Sequence, residues 1–133
     1  MPQSLWILGP LPSLNDMLAA AKSGHGKGNA YARMKSEWTE IVALEAKSKR
    51  LKPIPGKVRV FCQWFEVRAN RDPDNIHAGV KFILDGLVVA KVIGGDSQRY
   101  IKQIAHWVHP ANKVNDGTDS PGVLVELEPY EAP

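Results

Sequence analysis

The sequence is poor in cysteine and contains no long apolar run. Cys62 is the only cysteine among 133 residues, which excludes an internal disulfide framework, and one cysteine with four histidines does not suit a structural zinc site. The most apolar stretch, residues 82–93, is interrupted by Asp85 and Lys91 and falls short of the roughly 20 residues that cross a membrane. The amino-terminal residues also lack the basic region of a signal peptide. We therefore expect a cytoplasmic protein with no membrane partner.

The overall composition of the chain is typical of one globular domain. The chain is 44% hydrophobic and 23% charged, and its length is that of a single domain with one core. We therefore expect one domain over residues 1–133, with 129–133 as a tail.

The charges are distributed unevenly along the chain. Residues 1–71 hold 12 basic and 5 acidic side chains, a net +7, whereas residues 72–133 hold 5 and 9, a net −4. A basic surface of this size attracts polyanions and nucleic acid above all, although a solvated helix face would show the same charges. The residues that we expect to contact DNA on this basis are Lys22, Lys27, Arg33 and Lys35.

Periodicity and turn residues predict an α+β fold. Stretches rich in β-branched and aromatic residues predict strands at 4–8, 57–67, 100–108 and 122–128. Helical spacing predicts a short helix up to residue 21, capped by Ser13 or Asn15, and two main helices at 31–50 and 75–90, with a basic glycine-rich loop at 22–29. The order β-α-β-α-β-β implies two main helices packed on one small mixed sheet of about four strands.

Two acidic residues stand at the start of the second main helix. Asp72 is a good N-cap, Pro73 suits the first helical position, and Asp74 falls in the first turn, where the helix dipole favours a carboxylate. One interpretation is therefore that both acids only cap the helix.

The polar side of that helix suggests a second interpretation. Asp74 shares a sector of about 80° with the polar residues of the next turns, opposite the apolar stripe. These residues are His77, Lys81 and Asp85. A solvated polar face would give the same pattern, and Lys81 would then simply pair with Asp85.

A further acid, Asp96, follows the helix after two glycines. If its loop brings it beside Asp72 and Asp74, the three carboxylates would repel one another unless a divalent cation joined them. Mg²⁺ or Mn²⁺ suits such oxygen ligands. A metal held this way inside a basic protein is typical of phosphodiester cleavage, and Lys81 could orient water or neutralise charge there.

Several segments together form a distinctive pattern: RDPDNI at 71–76, KFILDGL at 81–87, and residues 92–93 and 95–96, with weaker support at 11–15 and 31–38. This pattern resembles the RusA family of Holliday junction resolvases, in the form found in prophages. It spans residues 5–128. Two features depart from the family: Lys81 lies seven residues after Asp74 rather than four as in shorter members, and Gly95 replaces one of two adjacent acids.

The resemblance implies a homodimeric, Mg²⁺-dependent endodeoxyribonuclease that binds four-way DNA junctions and makes paired nicks in recombination and repair. Its catalytic aspartates correspond to Asp72, Asp74 and Asp96, which would be the metal ligands, and its catalytic lysine to Lys81. Asn15 and Arg71 lie in the matching segments and would join the DNA contacts, while Asp85 and His77 would support the site. A DNA-junction binder without activity, and a structural protein whose acids only cap a helix, are the alternatives.

Other residues have structural interpretations. Gly79 and Gly86 let another backbone approach the helix, so with Phe82 they are expected to form either the dimer interface or a contact with the sheet. His106 and His109 are not expected to bind a metal, because residues three apart on a strand point to opposite faces. Aromatic residues of the strands are expected in the core or in a dimer interface, namely Trp64, Phe65 and Trp107.

Overall fold

One mixed sheet of four strands organises the computed structural model, which describes residues 2–22, 29–67, 71–110 and 120–131. The strands are β1 (Gln3–Leu8), β2 (Val58–Glu66), β3 (Ile101–Pro110) and β4 (Gly122–Pro129). The helices are α1 (Leu14–Lys22), α2 (Ala30–Ser48), α3 (Pro73–His77) and α4 (Val80–Val89). The predicted α+β class and the four-stranded mixed sheet are confirmed.

The sheet has the order β1-β4-β2-β3. Strand β4 is antiparallel to both of its neighbours, β1 and β2. Strands β2 and β3 are parallel, with Val58 opposite Ile101 and Glu66 opposite Pro110. The chain between them, which contains α3 and α4, is therefore a crossover that leaves the sheet at the Glu66 end and returns at the Val58 end.

The core lies between the helices and the sheet face that carries alternate residues of β2. Val58, Val60, Cys62 and Trp64 on that strand are at most 2% exposed. They form one apolar cluster with residues of α2 and α4, among them Val42, Ala46, Ile83 and Leu87. The apolar stripe predicted for the second main helix is thus the stripe that packs on the sheet.

The single helix predicted over 75–90 is instead two helices. Ala78 and Gly79 have φ and ψ of −58° and −25°, and −62° and −14°, which are closer to 3₁₀ than to α-helical values. Backbone bonds three residues apart confirm the tighter turn: the Gly79 N–H donates to Ile76 O at 3.2 Å and the Phe82 N–H donates to Gly79 O at 3.1 Å. The residues after His77 are therefore rotated relative to the continuous helix that we expected.

The interface predicted around Gly79, Phe82 and Gly86 is wrong, because this face is buried within the chain itself. Phe82 is 0% exposed. A Cβ on Gly79 would lie 3.2 Å from the Trp64 ring, and a Cβ on Gly86 would lie 2.5 Å from the Val42 side chain. The two glycines allow α3–α4 to approach the sheet and α2 closely, which is the other explanation for their spacing.

Two boundaries also differ from the prediction. The tail expected over 129–133 begins later, because β4 includes Pro129 and the Tyr130 N–H donates to Lys57 O at 2.9 Å. The basic loop expected over 22–29 is narrower, because Lys22 ends α1 and the Asn29 side chain caps α2 by accepting from the Ala32 N–H at 2.8 Å. Residues 23–28, which include Lys27, lie outside the described residues.

Over the described ranges, no helix has both the length and the apolar character needed to cross a lipid bilayer.

Candidate active site

The acidic pair, Asp72 and Asp74, lies at the amino end of α3 as the sequence predicts. Asp72 is the N-cap residue, with extended φ and ψ of −71° and 138°, and Pro73 takes the first helical position. The backbone oxygen of Asp72 accepts from the N–H groups of Asn75 and Ile76 at 3.0 and 3.1 Å, but the Asp72 side chain makes no capping hydrogen bond. Both aspartates are exposed. Helix capping therefore occupies the Asp72 backbone and leaves its carboxylate available for other partners.

An ion pair anchors the acidic pair to the end of β2. Arg71 Nη1 donates to Glu66 Oε1 at 2.7 Å, and the two side chains are 23% and 7% exposed. Burial raises the pKa of Glu66, while the charge of Arg71 and its hydrogen bond lower it. Glu66 is the last residue of β2 and Arg71 directly precedes Asp72, so this contact holds the start of α3 against the sheet.

Arg71 is predicted to contact DNA, and in the structure its guanidinium also has an internal partner, Glu66. The sequence does not predict the Glu66–Arg71 ion pair, because it does not show that Glu66 is buried at the end of β2. Because Arg71 directly precedes Asp72, its ion pair with Glu66 holds the acidic pair in place.

A second contact ties the same segment to α1. The backbone N–H of Asn15 donates to Asn75 Oδ1 at 2.9 Å. The turn before Asn15 is itself closed by reciprocal bonds: Ser13 N–H donates to Asp16 Oδ2 at 2.8 Å, and Asp16 N–H donates to Ser13 Oγ at 3.1 Å. Asn15, expected as a DNA contact, thus positions α3 through its backbone, while its side chain remains exposed.

A cavity of about 380 Å³ lies between the turn before α1 and the Glu66–Arg71 ion pair. Its lining combines apolar residues with four polar or charged ones, Ser13, Asp16, Glu66 and Arg71. The cavity therefore lies beside the segment that carries the acidic pair.

Lys81 and Asp85 form the ion pair that helical spacing allows. Lys81 Nζ lies 3.7 Å from Asp85 Oδ2, too far for a hydrogen bond, and the side chains are 46% and 17% exposed. Asp85 Oδ2 is buried and has no hydrogen-bond partner among the described residues. Lys81 is the exposed member of the pair, and its long contact with Asp85 leaves its ammonium group accessible to a ligand.

Two histidines stack where the end of α3 meets β3. The rings of His77 and His106 are 4.1 Å apart between centroids, with an interplanar angle of 12°. Trp64 Nε1–H donates to His106 Nδ1 at 2.9 Å, which places the proton of the neutral His106 ring on Nε2. His77, expected as a supporting residue, therefore packs on β3, and its Nε2 is buried without a partner among the described residues.

Burial lowers the pKa of both histidines. Burial, and to a lesser degree the neighbouring His77, lowers the pKa of His106 to about 4. Burial also lowers the pKa of His77, against the opposing charge of Asp74. Sequence reasoning considered His106 only in relation to metal binding and missed its contact with His77, because that contact depends on α3 packing over β3.

Protonation of His106 should destabilise the fold in acid. The unfolded chain takes up this proton below about pH 6.5, whereas the folded chain takes it up only near pH 4. We therefore expect the free energy of unfolding, measured with urea, to fall as pH decreases from 6.5 towards 4. His106→Asn keeps an acceptor for Trp64 and should weaken this decline. Equal declines in wild type and His106→Asn would contradict the assignment.

Asp96 lies at the other end of the sheet from Asp72 and Asp74. Asp72 follows Arg71, which is bonded to Glu66 at the carboxyl end of β2. Asp96 instead precedes β3, in a segment where Gly95 lies against the Tyr100 ring and the Tyr100 oxygen accepts from the Val58 N–H. Strand β2 covers roughly 26 Å between Val58 and Glu66 at about 3.3 Å per residue. The expected convergence of all three aspartates within one chain is therefore wrong.

The described residues accordingly contain no group of three or more histidine, cysteine or acidic side chains that is arranged to hold a metal ion. The acidic pair still fits Mg²⁺ in part, because its carboxylates are exposed and that of Asp72 is not used by the helix cap. Mg²⁺ commonly takes one or two protein carboxylates and completes its octahedron with water and substrate phosphate. Asp72 and Asp74 would hold it in this way.

The basic residues predicted to contact DNA lie near the junction of α1 and α2. Lys22 ends α1, and Arg33 and Lys35 lie in the first two turns of α2; all three are exposed. The amino end of α1 meets α3 through Asn15 and Asn75. Helix α1 therefore carries one of these charges, Lys22, and also contacts the helix of the acidic pair.

No protein-family model matches the chain, and no curated protein matches it.

Proposed function

We propose that the protein is a Mg²⁺-dependent endodeoxyribonuclease that resolves four-way DNA junctions by paired nicks, in DNA recombination and repair. The observation that carries this proposal is the exposed acidic pair, Asp72 and Asp74, fixed to β2 by the Glu66–Arg71 ion pair. The sequence string around it resembles the RusA family, which supports the choice of DNA junctions as substrate. We expect the protein to act in the cytoplasm.

The residues of this chain have separable roles in the proposed reaction. Asp72 and Asp74 hold the metal, and Arg71 with Glu66 keeps the pair in place. When bound, Mg²⁺ (or Mn²⁺ in its place) supplies the positive charge that stabilises a phosphoryl transition state and acidifies water. Lys81, which is exposed and only weakly paired with Asp85, neutralises charge on the phosphate or orients the attacking water.

Asp96 can join this metal only from a second chain, because within one chain it lies at the far end of β2. A homodimer would supply it, and two chains would also supply the two sites that paired nicks require. The proposed site thus consists of Asp72 and Asp74 from one chain and Asp96 from its partner.

Exposed basic residues of α1 and α2 supply the proposed DNA affinity. Lys22, Arg33 and Lys35 are exposed on α1 and α2. Lys27 lies between them in the sequence, in the segment outside the described residues, and we include it in this surface. Binding through such contacts weakens steeply with salt because each phosphate contact releases counterions.

Cleavage of a synthetic four-way junction tests the proposal. We expect paired nicks with Mg²⁺ or Mn²⁺, none in excess EDTA, and binding without nicking in Ca²⁺, which is larger and less strict in geometry. A linear duplex of the same sequence is the control and should remain uncut.

The other outcomes separate the alternatives. Binding of the junction without nicking in Mg²⁺ would indicate a DNA-junction binder that has lost activity. The sequence feature that favours this alternative is Gly95, which replaces one of the two adjacent acids of the family. Neither binding nor nicking would indicate a structural protein. Full cleavage in EDTA would disprove the metal mechanism.

A further inference from the structure

The face of the sheet that does not carry the core, here called the outer face, presents aromatic residues. Side chains alternate along a strand, and Trp64 of β2 lies in the core with the helices, so Gln63 and Phe65 point to the outer face. On β3, Trp107 is opposite Gln63 and His109 is opposite Phe65, so they share this face. Trp107 is 61% exposed. Trp107, expected in the core or in a dimer interface, is therefore not a core residue of this chain.

Four aromatic rings form a continuous row across the outer face. Trp6 on β1 lies 5.7 Å from Phe65 between ring centroids, and Phe65 lies 5.0 Å from His109. His109 in turn lies 5.5 Å from Trp107, with an interplanar angle of 11°. Strand β4 runs between β1 and β2, and Gly122 makes room there, because a Cβ at this position would overlap the Trp6 ring. These four rings are called the aromatic row below.

Hydrogen-bonding side chains border the aromatic row. His109 Nε2 lies 3.1 Å from Gln63 Oε1, and Gln63 Nε2 donates to Glu126 Oε1 at 2.8 Å. Because the Gln63 oxygen can only accept, this contact places the proton of the neutral His109 ring on Nε2 and leaves Nδ1 as an acceptor. The outer face thus offers ring faces with polar groups beside them.

An unpaired nucleobase has the matching combination, a planar π face with polar groups at its edge. Aromatic rings exposed on a sheet stack such bases in other nucleic-acid-binding folds. A protein partner that covered the outer face would also have to bury the Glu126 carboxylate, and burying a charge is costly. A base stacked on Trp107 leaves that carboxylate in contact with water. The chemistry of this face therefore favours a nucleobase over an apolar protein surface.

The aromatic row lies at the end of the sheet that holds the acidic pair. Phe65 directly precedes Glu66, whose carboxylate binds Arg71 next to Asp72. His109 is opposite Phe65 in the register of β2 and β3. A DNA strand held at Asp72 can therefore continue across this end of the sheet onto the row.

We propose that the aromatic row binds unpaired bases of single-stranded DNA, with one base stacked on the exposed ring of Trp107. The choice of DNA over RNA rests on the proposed function. The site itself needs no metal and no cleavage, because stacking of a base on an aromatic ring requires neither. Its affinity can therefore be measured separately from nuclease activity.

Binding of the full chain to a labelled thymidine oligonucleotide of about 12 nucleotides, in EDTA, tests the site by fluorescence anisotropy. Trp107→Ala should weaken binding by about 5- to 150-fold, the usual effect of removing one stacked base. Trp107→Phe keeps a ring and should lose much less. Ile104→Ala is the matched control: Ile104 is 38% exposed on the same strand, but its side chain points to the other face, so this variant should bind like wild type.

An abasic oligonucleotide of the same length separates stacking from charge. It has the same phosphates but no bases, so basic side chains attract it equally and the aromatic row does not. Wild type should bind it at least as weakly as Trp107→Ala binds the thymidine strand. Trp107→Ala should bind the abasic strand as well as wild type does.

Equal affinity of wild type for the two strands, or of wild type and Trp107→Ala for the thymidine strand, would overturn the proposal. Tighter binding of a uridine RNA strand would also overturn it. If Trp107→Ala lowers the mass in light scattering without changing the affinity for thymidine, a second copy covers the row and the proposal is wrong.

Two further outcomes are separable from these. If Trp107→Ala loses its circular dichroism spectrum, the wild-type comparison of the thymidine and abasic strands decides alone. A protein that shows the expected binding but never nicks a junction would disprove the proposed function and leave the base-stacking site standing.

Discussion

Asp72→Asn and Asp74→Asn will each abolish junction cleavage while junction binding is kept or strengthened. Each substitution removes a proposed metal ligand, and a loss of several kcal/mol of transition-state stabilisation lowers the rate by on the order of 10³-fold. Each also removes a negative charge that repels phosphate. Nicking rates of a labelled four-way junction, with gel-shift measurement of binding, check both effects.

The matched control for these variants is Asp16→Asn. Asp16 is also an acid in a first helical turn, but its carboxylate accepts from the Ser13 N–H and is used by the α1 cap. Asp16→Asn should lower the free energy of unfolding by about 1 kcal/mol without a comparable loss of cleavage. If Asp72→Asn or Asp74→Asn nicks at the wild-type rate, that residue is not a ligand.

Mixing inactive variants will show whether Asp96 acts from the partner chain. Asp96→Asn alone should be inactive, as should Asp72→Asn alone. In an exchanged equimolar mixture, half of the dimers hold one of each chain, and each mixed dimer keeps one intact site, so nicking should return to about a quarter of the wild-type rate. A site formed within one chain would give no recovery, and that result would contradict the shared site.

Gly86→Ala will destabilise the fold by about 1–3 kcal/mol, because the added methyl group overpacks the contact between α4 and α2. Its Cβ would lie 2.5 Å from the Val42 side chain and 3.0 Å from the Thr39 backbone oxygen. Neither atom can move without shifting α2. Urea unfolding monitored by circular dichroism measures the loss.

Val89→Ala is the control on the same helix. Val89 is 53% exposed, so its truncation should change the free energy of unfolding by less than about 0.5 kcal/mol. If Gly86→Ala instead left stability unchanged and altered only the molecular mass, Gly86 would belong to a subunit interface after all.

The sequence by itself determined the features that depend on neighbouring residues. The β-branched and aromatic residues of 57–67 predict β2, and the spacing of Ile76, Ile83 and Leu87 predicts the stripe that packs on the sheet. The Asp-Pro-Asp order likewise starts α3 where expected, since proline at the first turn and an acid beside it follow from local backbone chemistry.

Only the tertiary structure decided which distant residues meet. Glu66 and Arg71 pair because the start of α3 lies beside the end of β2, and His77 stacks on His106 because α3 lies over β3. The tertiary structure also decides that Asp96 is far from Asp72, because β2 and β3 are parallel. A crossover between parallel strands starts at one end of the sheet and finishes at the other, and strand direction depends on pairing across the whole chain rather than on local sequence.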